Sequence, residues 1–205
     1  MLNIKLAGLE VDMAFVSEIY YRNVVAQSTG VAEYIEISVA PADLSRLSDF
    51  TLATYQSDGT MARSFNLGGM VGTVDSATGW TLFRITTPTT DPDHTTGHNE
   101  AEALAFIDAQ AIPRVQSFLD IGGGTTGILA MDGPAVGQSS VNIPPATGQS
   151  IQFDVHGNRL DGPLTEDTSV ICLTSGTLID TPDGLRSIDD LAVGDLVETW
   201  DGDPQ

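Results

Sequence analysis

Cys172, the single cysteine of this chain, is the residue best able to do covalent chemistry. A thiolate attacks carbonyl carbon readily, but a thiol with an ordinary pKa of about 8.5 is only slightly ionised at neutral pH. A base and a proton donor for the departing nitrogen must therefore be supplied. The three histidines, His94, His98 and His156, all precede the cysteine. The plainer reading of Cys172 is a buried structural thiol, as unpaired cysteines commonly are.

Other residue sets have spacings that chemistry could use, and each meets an obstacle. Asp91, Asp93, Thr95, Asn99 and Glu102 fall at positions 1, 3, 5, 9 and 12 of a calcium loop, but Thr96 stands where the sharp turn needs glycine. His94 and His98 would share a face for zinc only on a helix, and Pro92, Thr95, Thr96 and Gly97 argue for a loop. Asp120-Ile121-Gly122-Gly123-Gly124-Thr125-Thr126 resembles the phosphate loop of actin-like and sugar-kinase ATPases, whose backbone N–H groups cradle phosphate. That family needs a second Asp-Gly loop and a longer chain, and Gly127 replaces another Asp, so a glycine turn after a strand is the expectation. Ser139 and Ser140 with His156 lack a Gly-x-Ser-x-Gly elbow. Glu33 and Glu36 could be written as an acid/base pair, yet Glu36 alternates with apolar neighbours and reads as a solvated strand-face carboxylate. No metal and no cofactor are expected.

The elements around Cys172 are short. Thr177 to Asp180 is an apolar, β-branched run, and Thr181-Pro182-Asp183-Gly184 puts Pro at turn position i+1 and Gly at the end, where a positive φ is free. These features predict a hairpin returning through Leu185 to Ile188, then one helical turn over Ile188-Asp189-Asp190-Leu191 and a strand from Leu196 to Trp200. Some 34 residues are too few to bury a core alone, because domains below about 40 residues usually need metals, disulfides or partners.

From Cys172 to Gln205 the spaced elements Cys172, Gly176-Thr177, Ile179, Thr181-Pro182-Asp183-Gly184, Ile188-Asp189-Asp190-Leu191 and Gly194-Asp195-Leu196-Val197 resemble the opening block of the Hint (hedgehog/intein) family. The resemblance implies that Cys172 is the first residue of an autoprocessing unit. Its sulfur would attack the carbonyl of Ile171 and turn the Ile171–Cys172 amide into a thioester, leading to self-cleavage or splicing. In that family the proton donor comes from a later Thr-x-x-His block, and splicing members end in His-Asn. The segment is therefore expected to be the N-terminal part of a Hint domain whose remainder acts in cis, or in trans if split. Single-turnover autoproteolysis belongs to the full-length parent, and the fragment alone is expected to be inactive.

Upstream, short strands alternate with turns. In Tyr34-Ile35-Glu36-Ile37-Ser38-Val39 the isoleucines and Val39 take one face and Glu36 and Ser38 the other. Further runs lie at Phe15 to Tyr21, Phe50 to Tyr55, Met61 to Leu67, Trp80 to Thr86, Ala103 to Ile107, Val115 to Leu119 and Ile151 to Val155, while Gly157 to Pro163 reads as turns. With 21 glycines, 10 prolines and no long 3.6-residue period, the pattern predicts an all-β fold, an immunoglobulin-like β-sandwich followed by the incomplete Hint-type fragment. Val16 to Tyr21, Glu33 to Ile37, Phe50 to Leu52, Ala105 to Asp108 and Ala130 to Ala135 resemble the lamin-tail domain, whose bacterial copies occur in secreted proteins. The expected division is a passenger domain over 1–165 and the Hint fragment over 166–205.

A formal net charge of −20, with one lysine among eight basic residues, opposes binding to nucleic acid or to an anionic membrane surface. No apolar run approaches the roughly 20 residues of a membrane span. Met1 to Glu10 lacks the long apolar core of a Sec signal peptide, so the expectation is export by another route, or otherwise a cytoplasmic location. An alternative function from a different class stays open: a secreted binding or adhesion module with a carbohydrate or protein ligand, in which the Hint remnant is degenerate or serves only delivery.

Overall fold

The period-2 alternation of the upstream strands builds two facing sheets. A computed structural model describes residues 14–20, 32–76, 78–86, 101–121, 126–144, 150–155, 157–165, 178–192 and 194–197. Within them the strands are β1 (Ala14–Tyr20), β2 (Tyr34–Val39), β3 (Phe50–Tyr55), β4 (Met61–Asn66), β5 (Thr73–Val74), β6 (Thr81–Ile85), β7 (Ala103–Asp108), β8 (Val115–Asp120), β9 (Val141–Asn142), β10 (Ser150–Phe153), β11 (Arg159–Gly162), β12 (Leu178–Thr181) and β13 (Gly184–Ser187). One sheet runs β11-β10-β1-β2-β6-β5 and the other β4-β3-β7-β8-β9. The described pairings are antiparallel except β8 with β9, which is parallel. The chain is thus mostly β, a two-sheet sandwich with a separate hairpin β12-β13.

The main core lies between the sheets. Ile19, Ile35, Ile37, Phe83, Ile85 and Ile151 from the six-stranded sheet meet Phe50, Leu52, Leu104 and Phe106 from the five-stranded one, all buried. Each such side chain contributes roughly 1.5–3 kcal/mol on leaving water. A bulge between Val16 and Glu18 makes the alignment on β1 work. Val16 and Ile19, three residues apart, cannot both face inward on a regular strand; the extra residue Ser17 restores the alternation, and its hydroxyl donates to Glu36 at 2.8 Å.

Both sheets are also covered on their outer faces, which the alternation does not announce. On the five-stranded sheet, Ala53, Tyr55, Ala103, Ala105, Ile107 and Phe118 form a second core closed by Ile128, Ala130 and Ala135. On the six-stranded sheet the outer residues are polar yet buried: Glu18 and Ser38 are 0% exposed and Glu36 is 1% exposed. Strand β2 is therefore buried on both faces, and Glu36 is not the solvated strand-face carboxylate that its alternation predicts. Two further differences are local. A nine-residue 3-10 stretch, Pro41–Asp49, opens with Pro at its start, where a missing N–H costs nothing, and links β2 to β3. The turn-rich stretch after Val155 holds a strand as well, since Arg159 to Gly162 pairs with Phe153 to Ser150.

Candidate functional site

The C-terminal hairpin follows from local turn chemistry. Thr181 and Gly184 close a two-residue Pro182-Asp183 turn, with Gly184 at φ +102° and the Thr181 hydroxyl donating to the Gly184 carbonyl at 2.5 Å. A residue with a Cβ resists that φ, which is why glycine stands there. A 3-10 turn over Ile188–Asp190 follows, as the sequence predicts, although it is shorter than the four residues expected. Among the described residues of this C-terminal segment, Ile179 on β12 and Val197 after the turn are the buried apolar ones, at 0% and 8% exposure. Leu196 and Val197 are not in a strand, and the rest of the expected strand, 198–200, lies outside the described residues.

One acidic side chain ties this segment together. Asp195 Oδ2 accepts from the Ala192 backbone N–H at 3.0 Å and from Arg186 Nη1 at 3.0 Å. Arg186 reaches the Asp190 carbonyl with its other nitrogen, so β13, the 3-10 turn and the Gly194-Asp195 pair are joined around one guanidinium. The Ala192 N–H, and then the Arg186 charge, hold the Asp195 carboxyl below its ordinary pKa. The sequence singles out Gly194-Asp195 only through its resemblance; the clip with Arg186, nine positions away, shows only in three dimensions.

Cys172, Ile171 and the bond between them lie outside the described residues, as do His94, His98, His156 and the 91–99 part of the calcium-like loop. Glu102 from that loop is 4% exposed, and its backbone extends the β3-β7-β8 ladder: its N–H donates to the Tyr55 carbonyl and its carbonyl accepts from Ile121. Ser140 holds structure instead of serving as a nucleophile, its Oγ accepting from the Ile128 N–H at 2.7 Å. Asp120, just ahead of the glycine-rich stretch, is fully buried on β8. Among the described residues no group of three or more His, Cys, Asp or Glu side chains gathers as a metal site requires.

Among the described residues, one buried polar cluster centres on a residue that the sequence does not single out. Glu18 on β1 accepts the Tyr34 hydroxyl at 2.8 Å, the Ser150 hydroxyl at 2.5 Å and Gln152 Nε2 at 3.3 Å. Its remaining two donors are the hydroxyl and the N–H of Thr165, at 2.9 and 3.3 Å. All five partners are donors, which suits an acceptor-only carboxylate and offsets the cost of its burial. Arg84 lies over the Tyr34 ring, 4.3 Å from its centroid. Burial first, and then the neighbouring Glu18 charge, push the Tyr34 phenol far above its ordinary range.

The architecture that these elements define is an all-β sandwich joined to a small hairpin unit with a cysteine on its amino side. A family model described as Hint domain matches residues 171–205. The match opens one residue before Cys172 and contains the hairpin, the 3-10 turn and the Asp195 clip. No curated protein and no solved structure matches the chain.

Proposed function

We propose that this chain is the upstream passenger of an autoprocessing, intein-like unit, with Cys172 as nucleophile at the Ile171–Cys172 bond. The observation that carries the reading is the Hint-domain match over 171–205, which begins at the residue whose carbonyl would be attacked. The Cys172 thiolate adds to the Ile171 carbonyl carbon, the C–N bond breaks, and the nitrogen takes up a proton to become the free amine of Cys172. Ile171 is then held as a thioester on sulfur. Water or another nucleophile resolves it, giving cleavage or splicing. On this reading residues 1–165 are the passenger and 166–205 belong to the Hint-type unit, whose base and nitrogen-proton donor come from further Hint residues in cis or in trans. Val170 and Ile171, both β-branched, shield the thioester carbonyl from casual hydrolysis.

The test is the intact mass of the complete gene product with and without dithiothreitol or hydroxylamine, beside a Cys172→Ala variant. The expected result is cleavage after Ile171, accelerated by thiol and absent in the alanine variant. Equal cleavage in both proteins removes Cys172 from the mechanism and leaves the sandwich as a binding module with a delivery segment.

A further inference from the structure

Three consecutive residues just ahead of the proposed junction are fastened to the outer face of the six-stranded sheet. After β11 ends at Gly162, the Pro163 carbonyl accepts from Gln152 Nε2 at 2.5 Å. Leu164 packs against the buried rings of Tyr20 and Tyr34. Thr165 gives its hydroxyl and its N–H to the two oxygens of Glu18. The anchors use different physics: an amide hydrogen bond, apolar burial, and a carboxylate that has Tyr34 and Ser150 as further donors whether or not the strap is in place. Glu18 is 0% exposed, so lifting the strap from the face would remove two of the five donors to a buried carboxylate, which resists lifting.

We propose that the Glu18–Tyr34–Gln152 face is a docking site for residues 163–165, making the sandwich the anchor of the peptide that enters the cleavage junction. The proposal rests on Cys172 being the nucleophile. From a fixed Thr165, the seven residue steps to Cys172 span at most about 25 Å. Segment 166–171 is therefore a tether of limited reach, and its length matters only while its upstream end is docked. Glu18 acts here as a positioning residue: it touches no reacting atom and holds the chain that carries one.

The experiment separates this idea from the chemistry. In the complete gene product, deleting Asp167 and Thr168 is expected to slow thiol-induced cleavage after Ile171 by about tenfold, because a misplaced junction loses its attack geometry. In the strap variant Leu164→Ala/Thr165→Val, the same deletion is expected to change the rate by less than about twofold, since the upstream end is free to follow; this non-additivity is the signature of one mechanical unit. An equal effect of the deletion in both backgrounds overturns the tether. Docking is read independently by amide exchange in the Cys172→Ala product: the Thr165 N–H is expected to exchange at least about tenfold more slowly than an unprotected amide, and to lose this protection in Glu18→Ala. A Thr165 amide at the unprotected rate overturns the docking even if cleavage proceeds. Cysteine-independent cleavage overturns the autoprocessing reading and the tether with it, while the exchange result still decides whether the strap is docked.

Discussion

Tyr34 on β2 donates its hydroxyl to Glu18 on the adjacent strand β1 at 2.8 Å, and its ring lies beneath the Arg84 guanidinium. The hydroxyl is one of five donors to a carboxylate with no access to water. Removing that oxygen alone, by Tyr34→Phe, keeps the ring packed on Tyr20, whose centroid is 5.5 Å away, but leaves the carboxylate one donor short. The expected cost is about 1–3 kcal/mol. Urea unfolding checks this as a lower midpoint with an unchanged slope. A variant within about 0.5 kcal/mol of the parent means that the remaining donors suffice.

How much of this was readable from residue order differs by scale. Strand β2 was legible because Ile35, Ile37 and Val39 keep a strict period of two, and the hairpin at Pro182 and Gly184 because its turn chemistry is local. The mostly β, two-sheet character follows from the same signals. The bulge at Ser17 was not legible: it shows only as Val16 and Ile19 falling three apart, which a short helix would also explain. Burial of Glu36 was hidden for a different reason: its hydroxyl partner Ser17 sits on another strand, nineteen positions away, and the Pro163–Thr165 strap reaches Glu18 on the same face from far along the chain. Strand β11 was masked by the turn residues Gly157, Asn158, Gly162 and Pro163 that bound it. Of the proposed site, the sequence marked Cys172 and the Gly194-Asp195 pair, whereas Glu18 reads as an ordinary polar residue within an apolar run.

Gly59 sits in the β3-β4 turn at φ +84°, and its carbonyl accepts from the Met131 N–H at 2.8 Å, fastening the turn to the segment that closes the second core. A Cβ added there would overlap the Leu129 carbonyl oxygen. Gly59→Ala therefore combines left-handed strain of roughly 1–2 kcal/mol with displacement of backbone, and should cost more than about 2 kcal/mol. Gly137, at φ +79° with open space around it, supplies the control: Gly137→Ala bears the strain alone. Equal thermal shifts for the two variants would show that the Leu129 backbone yields without cost.

Arg46 joins the 3-10 stretch to β7. Its Nη2 meets both oxygens of Asp108 at 2.8 and 3.0 Å, Nη1 meets Asp43 at 2.9 Å, and the guanidinium lies 5.3 Å from the Phe50 ring centroid. The arginine side chain is one-third exposed, so solvent weakens each pair, but the fork geometry is one that lysine cannot reproduce. Arg46→Lys is expected to destabilise by about 1 kcal/mol. A double-mutant cycle of Arg46→Met with Asp108→Asn should give a coupling of about 0.5–1 kcal/mol that shrinks on going from low salt to about 0.5 M. A coupling near zero would assign the cost of losing Arg46 to its packing on Phe50 and its other partners.

The Asp195 clip makes the hairpin unit acid-sensitive in a defined direction. The Ala192 N–H and Arg186 stabilise the ionised carboxylate, so the folded pKa lies below the ordinary 3.8. A depressed folded pKa contributes stability that is present above the unfolded value and is lost as pH falls through the folded one. Exchange of the Ala192 amide, corrected for its intrinsic pH dependence, should therefore stay slow from neutral pH to about pH 4 and quicken below it. In Asp195→Ala the acceptor is gone, and the corrected exchange should be fast at neutral pH with no acid transition of its own. Arg186→Gln, which leaves the Ala192 bond in place, should raise the midpoint without abolishing it, because the largest cause of the shift remains. A corrected rate in the parent that is flat down to pH 2 would mean that the carboxylate does not hold Ala192 in solution.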